Sequence, residues 1–161
     1  MADLNNLISP FFLNDKEIKK VIELFFFSYR DFTAGPDNVL EKLKFGRAHH
    51  RVIYFVGKKK NITIKDLLGI LKITKQSLSR VLNQLVKEKY ILVSIGEDKR
   101  TKKLCLTQKG LALEEKLSKI QIDKIKSIIN DAKESDINGF KKILYSMIDE
   151  KSKKIFNKLN E

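Results

Sequence analysis

Two helix-start signals stand eleven residues apart, at Thr63 and Thr74, and two short apolar runs around a basic loop follow them. Thr63 opens T-I-K-D, an N-cap with an acid three positions on, close to the capping-box pattern. The helix it starts runs to about Ile70 and buries Ile64, Leu67, Leu68 and Leu71. After a break at Lys72-Ile73, Thr74 caps a second helix that buries Leu78, Val81, Leu82 and Leu85. Residues 90–95 and 103–107 then read as strands around the loop G-E-D-K-R-T-K. This order dictates a helix–turn–helix followed by a β-hairpin wing.

At about 100° per residue, Gln76, Ser79, Arg80, Asn83 and Lys87 point away from the buried stripe of the second helix. Arg, Asn and Gln can bond two edge atoms of a purine at once in a major groove. An ordinary solvated helix shows Glu/Lys pairs, whereas this face holds no acid before Glu88. The hairpin loop adds Lys99, Arg100, Lys102 and Lys103. Across residues 58–110, twelve Lys and two Arg oppose Asp66, Glu88, Glu97 and Asp98, which places +10 of the chain's net +13 there. A Lys-rich genome accounts for part of a total of 28 Lys to five Arg, but not for the clustering. A basic block that coincides with a folding unit is the footprint of a polyphosphate partner, and double-stranded DNA fits best.

The flanks read as helices. Ile18, Val21, Ile22, Phe25, Phe26 and Tyr29 recur at three and four within residues 15–32, and Gly35-Pro36-Asp37 is expected to break that helix. A second helical region over 45–56 contains Gly46 as an interruption. Thr107 caps a long helix with Leu113, Leu117, Ile120, Ile125 and Ile128, and Asp136 starts one final helix from Ile137 through Phe156. The fold class is therefore mainly α with a small β-hairpin wing. Residues 58–110 form the DNA-binding region; 1–57 and 111–161 form a helical dimerisation region packed with it as one continuous domain. The terminal helices carry more large apolar residues than a 161-residue monomer with a protruding wing can cover, which favours a homodimer.

Other functions find little footing. No apolar run approaches the ~20 residues that span a bilayer, and the first residues lack the basic region of a signal peptide. One cysteine, Cys105, permits no internal disulfide, in keeping with a reducing cytoplasm. It lies within an alternating strand and reads as inert. No nucleophile–base constellation, phosphate-cradling glycine loop or zinc-ligand spacing occurs, so no enzyme, cofactor or metal is expected. His49 and His50 are adjacent and cannot share one helix face; they read as packing residues or as lining of an effector cavity. The cluster Phe25, Phe26, Phe27, Tyr29 and Phe32 reads as dimer core, with a ligand pocket using Phe26 and Tyr29 as the alternative. Lys58-Lys59-Lys60 is either a phosphate contact or a solvated loop.

The motifs I-T-K-Q-S-L-S-R-V-L-N-Q-L-V at 73–86, D-K-R at 98–100 and L-T-Q-K-G at 106–110 resemble the MarR family of transcription regulators, in their order and over nearly the whole chain. The stretch G-R-A-H-H-R-V-I-Y-F-V at 46–56 is similar to the family's PetP-type subgroup. The resemblance implies a homodimer with interlocked terminal helices and a pseudo-palindromic operator. It implies that Thr74, Lys75, Gln76, Ser77, Ser79, Arg80, Asn83 and Lys87 meet DNA from the recognition helix, and Lys99, Arg100 and Lys102 from the wing. Arg100 matches the family's minor-groove arginine, and Asp98 the acid that orients it. A small aromatic effector held between the dimerisation and DNA-binding regions is also implied, with Phe26, Tyr29, His49 and His50 as its candidate lining. Sensing of peroxide through an N-terminal cysteine is not, because the chain lacks one. The rival reading is a non-specific architectural protein whose lysines grip the backbone without reading sequence.

Overall fold

The computed structural model describes residues 14–96 and 101–161, which divide at Gly35/Pro36 into one unit ending at Gly35 and a second running Pro36–Glu161. The elements in order are α1 (Asp15–Glu41), α2 (Arg47–Lys58), β1 (Ile62–Thr63), α3 (Ile64–Leu71), α4 (Lys75–Lys87), β2 (Ile91–Ile95), β3 (Lys102–Leu106), α5 (Gln108–Ile129), α6 (Glu134–Met147) and α7 (Glu150–Asn160). The architecture is mostly helical with a small antiparallel sheet, as the sequence pattern requires. No helix among the described residues is long and apolar enough to cross a membrane.

The core of the larger unit gathers on α2, which packs against α3, α4, α5 and β3. Val52, Ile53 and Val56 of α2 are buried with Leu67 of α3, Leu113 and Leu117 of α5, and the α4 stripe Leu78, Val81, Leu82 and Leu85. Ile64, Leu68 and Leu71 of α3 are partly buried against this cluster. The sheet has the order β1-β3-β2, and Leu104 faces both Ile62 and Val93 across it while being wholly buried itself. The two-residue strand β1 has no alternation long enough to be legible in sequence; its pairing with β3 creates it.

Four boundaries differ from the sequence-based expectation. Gly35-Pro36-Asp37 does not end α1, which continues to Glu41 with Pro36 inside it. The steric conflict a proline imposes on its predecessor involves that residue's Cβ, and Gly35 has none. Pro36 and Leu40 are fully buried, which offsets the intrahelical hydrogen bond that proline cannot donate. The final helix is two helices, α6 and α7. Ile148 is extended (ψ 141°), and the Asp149 carboxylate accepts the Ser152 N–H at 2.7 Å, capping a fresh helix. The start of α6 lies at Glu134, after Lys133, rather than at Asp136. Finally, β3 ends at Leu106 rather than Thr107, which serves, as expected, as the N-cap of α5.

That cap ties α5 to the end of α4. The Thr107 hydroxyl accepts the Gly110 N–H at 3.0 Å and donates to the Lys89 carbonyl at 2.7 Å. Gly110 lies so close to the Tyr90 carbonyl that a Cβ there would collide with backbone oxygen. Gly110→Ala should therefore destabilise the fold by ~1–3 kcal/mol, the usual cost of forcing extra volume into a packed site. Urea unfolding that shows no lowering of the midpoint would contradict this packing.

Candidate nucleic-acid interface

Thr74 does for α4 what Thr63 does for α3. The Thr63 hydroxyl accepts the Asp66 N–H at 3.1 Å while the Asp66 carboxylate accepts the Thr63 N–H at 3.2 Å, the reciprocal pair that T-I-K-D encodes. Burial opposes the charge of Asp66, but the Thr63 bonds and the Lys59 ammonium at 3.5 Å outweigh it and hold this carboxyl below its ordinary pKa. Lys72 closes α3 in the left-handed conformation (φ 50°), so the chain turns within three residues. The Thr74 hydroxyl then accepts the Ser77 N–H at 3.1 Å.

Helical periodicity does the rest. With Leu78, Val81, Leu82 and Leu85 turned into the core, Lys75, Gln76, Ser77, Ser79, Arg80, Asn83 and Lys87 are all exposed, as is the capping Thr74. A cleft of about 570 Å³ separates α4 from the hairpin. Ser79, Asn83 and Lys87 line one side, Lys102 and Val93 the other, and Leu78, Leu82 and Leu104 close its floor. The structure thus brings Lys75, Ser79, Asn83 and Lys87 together with Lys102 along one concave, cationic cleft, whereas Thr74, Gln76, Ser77 and Arg80 are exposed on α4 but do not line it. Asp98, Lys99 and Arg100 lie outside the described residues.

The candidate effector residues do not line that cleft, nor a second one of about 540 Å³ between α2 and α5. Phe26 and Tyr29 are exposed on α1, with Phe26 edge-on to Phe27 at 5.4 Å. His49 is held by hydrogen bonds on both ring nitrogens: Nδ1 accepts the Gly46 N–H at 3.1 Å and Nε2 meets Gln84 Oε1 at 2.9 Å. His50 is half-buried, and burial pushes its pKa down against the pull of the Asp37 and Glu114 carboxylates. Among the described residues no cluster of three metal-ligating side chains occurs. The Cys105 thiol sits 3.1 Å from Asn61 Oδ1, at the β1 side of the sheet.

Several supports of the interface were not legible in local sequence. Lys109 reaches back to the Glu88 carbonyl at 2.9 Å, satisfying the end of α4, and lies 4.0 Å over the Tyr90 ring. Lys72, in the turn before α4, pairs with Asp149 at 2.7 Å, 77 positions away. The Lys72 ammonium, with the Ser152 N–H, holds the Asp149 carboxyl far below its ordinary pKa. Such partners are set by the fold rather than by spacing. For the local device, Thr74→Ala should cost ~1 kcal/mol and Thr74→Ser almost nothing. Equal denaturation midpoints for the two variants would show that the hydroxyl cap is idle.

Comparison with known proteins places this geometry. A model of the MarR family matches residues 44–101. The chain is 38% identical over 151 residues to the HTH-type transcriptional regulator PetP of Rhodobacter capsulatus, covering 93% of this chain and 91% of that protein. Streptococcus pneumoniae FabT, solved in complex with DNA, superposes with a TM-score of 0.72 at 21% identity, over 81% of this chain and 94% of that one. The apo form of wild-type MarR from E. coli gives 0.61 at 19%, over 79% and 96%.

Proposed function

The chain belongs to the MarR family of transcriptional regulators, a non-enzymatic DNA-binding family, and on that footing we propose that it is a homodimeric, sequence-specific repressor. The observation that carries this reading is the exposed polar face of α4, set beside the hairpin in a strip rich in cations. Residues 58–110 engage DNA; 1–57 and 111–161 pair two copies. Lysines neutralise phosphates and supply most of the affinity, while Gln76, Ser77, Ser79, Arg80 and Asn83 read base edges from α4. Thr74, Lys75, Lys87, Lys99 and Lys102 hold the backbone around it. That FabT was crystallised with DNA supports the same docking here.

The exposed apolar residues support the homodimer. Ile18, Ile22, Phe25 and Tyr29 of α1 are between 44% and 64% exposed, and Phe140, Ile143 and Met147 of α6 between 57% and 63%. Stripes of that size signal association. A dimer is therefore expected at micromolar concentration, and sedimentation as a monomer would defeat it. Release by a small aromatic effector that touches Phe26, Tyr29, His49 and His50 is the regulatory part of the proposal and rests on the family resemblance.

Arg80→Ala should lose ~1–3 kcal/mol of discrimination between operator and random DNA. Retention of full preference would reduce Arg80 to a phosphate contact. The architectural rival separates in the same assay, since a specific regulator prefers its site by ~10³-fold or more.

The wing gives a sharper test. Arg100, a long planar cation, suits a narrow A·T-rich minor groove, and Asp98 is an acid in a basic loop that phosphate would repel. Its role is to hold the arginine or a loop amide. Asp98→Ala should weaken binding although it removes a negative charge; tighter binding would mean that the acid is merely tolerated.

A further inference from the structure

His49 and Gln84 are committed to one another in a way that DNA contact does not explain. Gln84 lies on α4 but off its exposed face, partly buried. Its amide nitrogen donates to the Lys44 carbonyl at 3.4 Å and to the Glu88 carboxylate at 3.3 Å. Its oxygen is thereby turned to His49 Nε2, at 2.9 Å. An amide oxygen can only accept, so Nε2 must carry the proton. The other nitrogen, Nδ1, must then accept, and it does so from the Gly46 N–H at the start of α2. Each partner demands the same tautomer. The ring is also fixed in orientation, stacked on Phe45 with centroids 4.7 Å apart and planes 11° apart, and Phe45 stands edge-on to Tyr90 at 5.2 Å.

We propose that the His49–Gln84 pair is a specificity-determining strut: it sets the seat of α4 against the N-terminus of α2, and so decides how well the reading face discriminates bases, without itself touching DNA. The inference rests on the sequence-specific reading proposed above. Its physical basis is the difference in tolerance between the two kinds of contact. Lysine–phosphate attraction survives a small shift of α4, because flexible ammonium groups follow the backbone. Bidentate bonds to base edges do not, since hydrogen bonds weaken steeply with distance and angle. A seated helix therefore matters for choosing DNA more than for gripping it. His49 is a positioning residue, acting through Gln84.

Two substitutions separate the halves of the strut. Asparagine at 49 can keep an acceptor near the Nδ1 position but cannot reach Gln84; glutamine can reach Gln84 with an N–H. The probes are the tightest duplex selected from a random-sequence pool and a random duplex of equal length. Gln84→Met and His49→Asn should each lower the preference for the selected duplex by about threefold to tenfold, the range of one net hydrogen bond. Affinity for the random duplex should stay within about twofold, because that term is electrostatic. The double variant should lose no more than either single one, as for two ends of one interaction. His49→Gln should restore most of the preference. Equal losses on both duplexes, additive losses, or no rescue by His49→Gln would overturn the proposal.

A second arm needs no DNA. Imidazole ¹⁵N resonances should show His49 as the Nε2–H tautomer, and Gln84→Met should increase amide hydrogen exchange along α4. Failure to select any duplex above random would defeat the sequence-specific reading alone. The Nδ1–H tautomer, or unchanged exchange in Gln84→Met, would defeat the strut alone.

Discussion

The burial of Leu78, Val81, Leu82 and Leu85 determines which side of α4 meets solvent, and every contact proposed between α4 and DNA depends on that rotation. Burying one such side chain is worth ~1.5–3 kcal/mol, an upper estimate because unfolded chains are already partly compact. A rotation of α4 by one residue, about 100°, would bring polar groups into the core and leave them unpaired. That penalty far exceeds the energy of any single contact to a base. The exposed polar face is therefore fixed by aliphatic packing on its opposite side. The polar residues are free to be chosen for recognition.

Charge and packing divide the remaining work. The cations of residues 58–110 supply a field that is long-ranged, salt-sensitive and indifferent to sequence. Lysine serves this purpose well as a mobile point charge. Arginine is scarce in the chain, yet two of its five fall within this stretch, Arg80 on α4 and Arg100 between β2 and β3 in the sequence. A rigid guanidinium fork is of use only where its carrier is held still. Thr74 at the start of α4, Lys109 at its end and the His49–Gln84 pair along its back hold the helix at three places.

The parts of the fold written in short-range code were legible in the sequence. Thr63, Thr74 and Thr107 each announce a helix because an N-cap acts within three residues, and the α4 stripe follows because its period is local. Strand β1 was not legible, since two residues carry no period and only Leu104, some forty positions on, makes Ile62 a strand residue. Pro36 misled because a proline's local penalty is visible while the burial that offsets it is not. The break at Ile148-Asp149 fell inside an apolar pattern that continues in phase across it, so periodicity alone passed over a cap. At the interface, the exposed α4 residues followed from the helical wheel. Gln84 did not, because its partners lie on α2 and in the turn before it.

Helix α5 carries the consequence furthest. Its first turn is fixed to the end of α4 and the residues before β2 by Thr107, Lys109 and Gly110. The helix is buried at Leu113 and Leu117, and further along Ile122, Ile125 and Ile128 are exposed, Ile128 by 60%. One continuous helix therefore joins the seat of the wing to a surface suited to a second copy. In the homodimer proposed above, half-sites about one helical turn of DNA apart, ~34–36 Å, must be matched by the separation of two α4 helices. A flexible tether would leave that separation undefined and lose the preference for one spacing. A rigid rod anchored at the wing by a cap and a glycine contact transmits it. In that dimer, packing at the far end of α5 would bear on operator spacing, and packing at its first turn on the angle at which each α4 is presented.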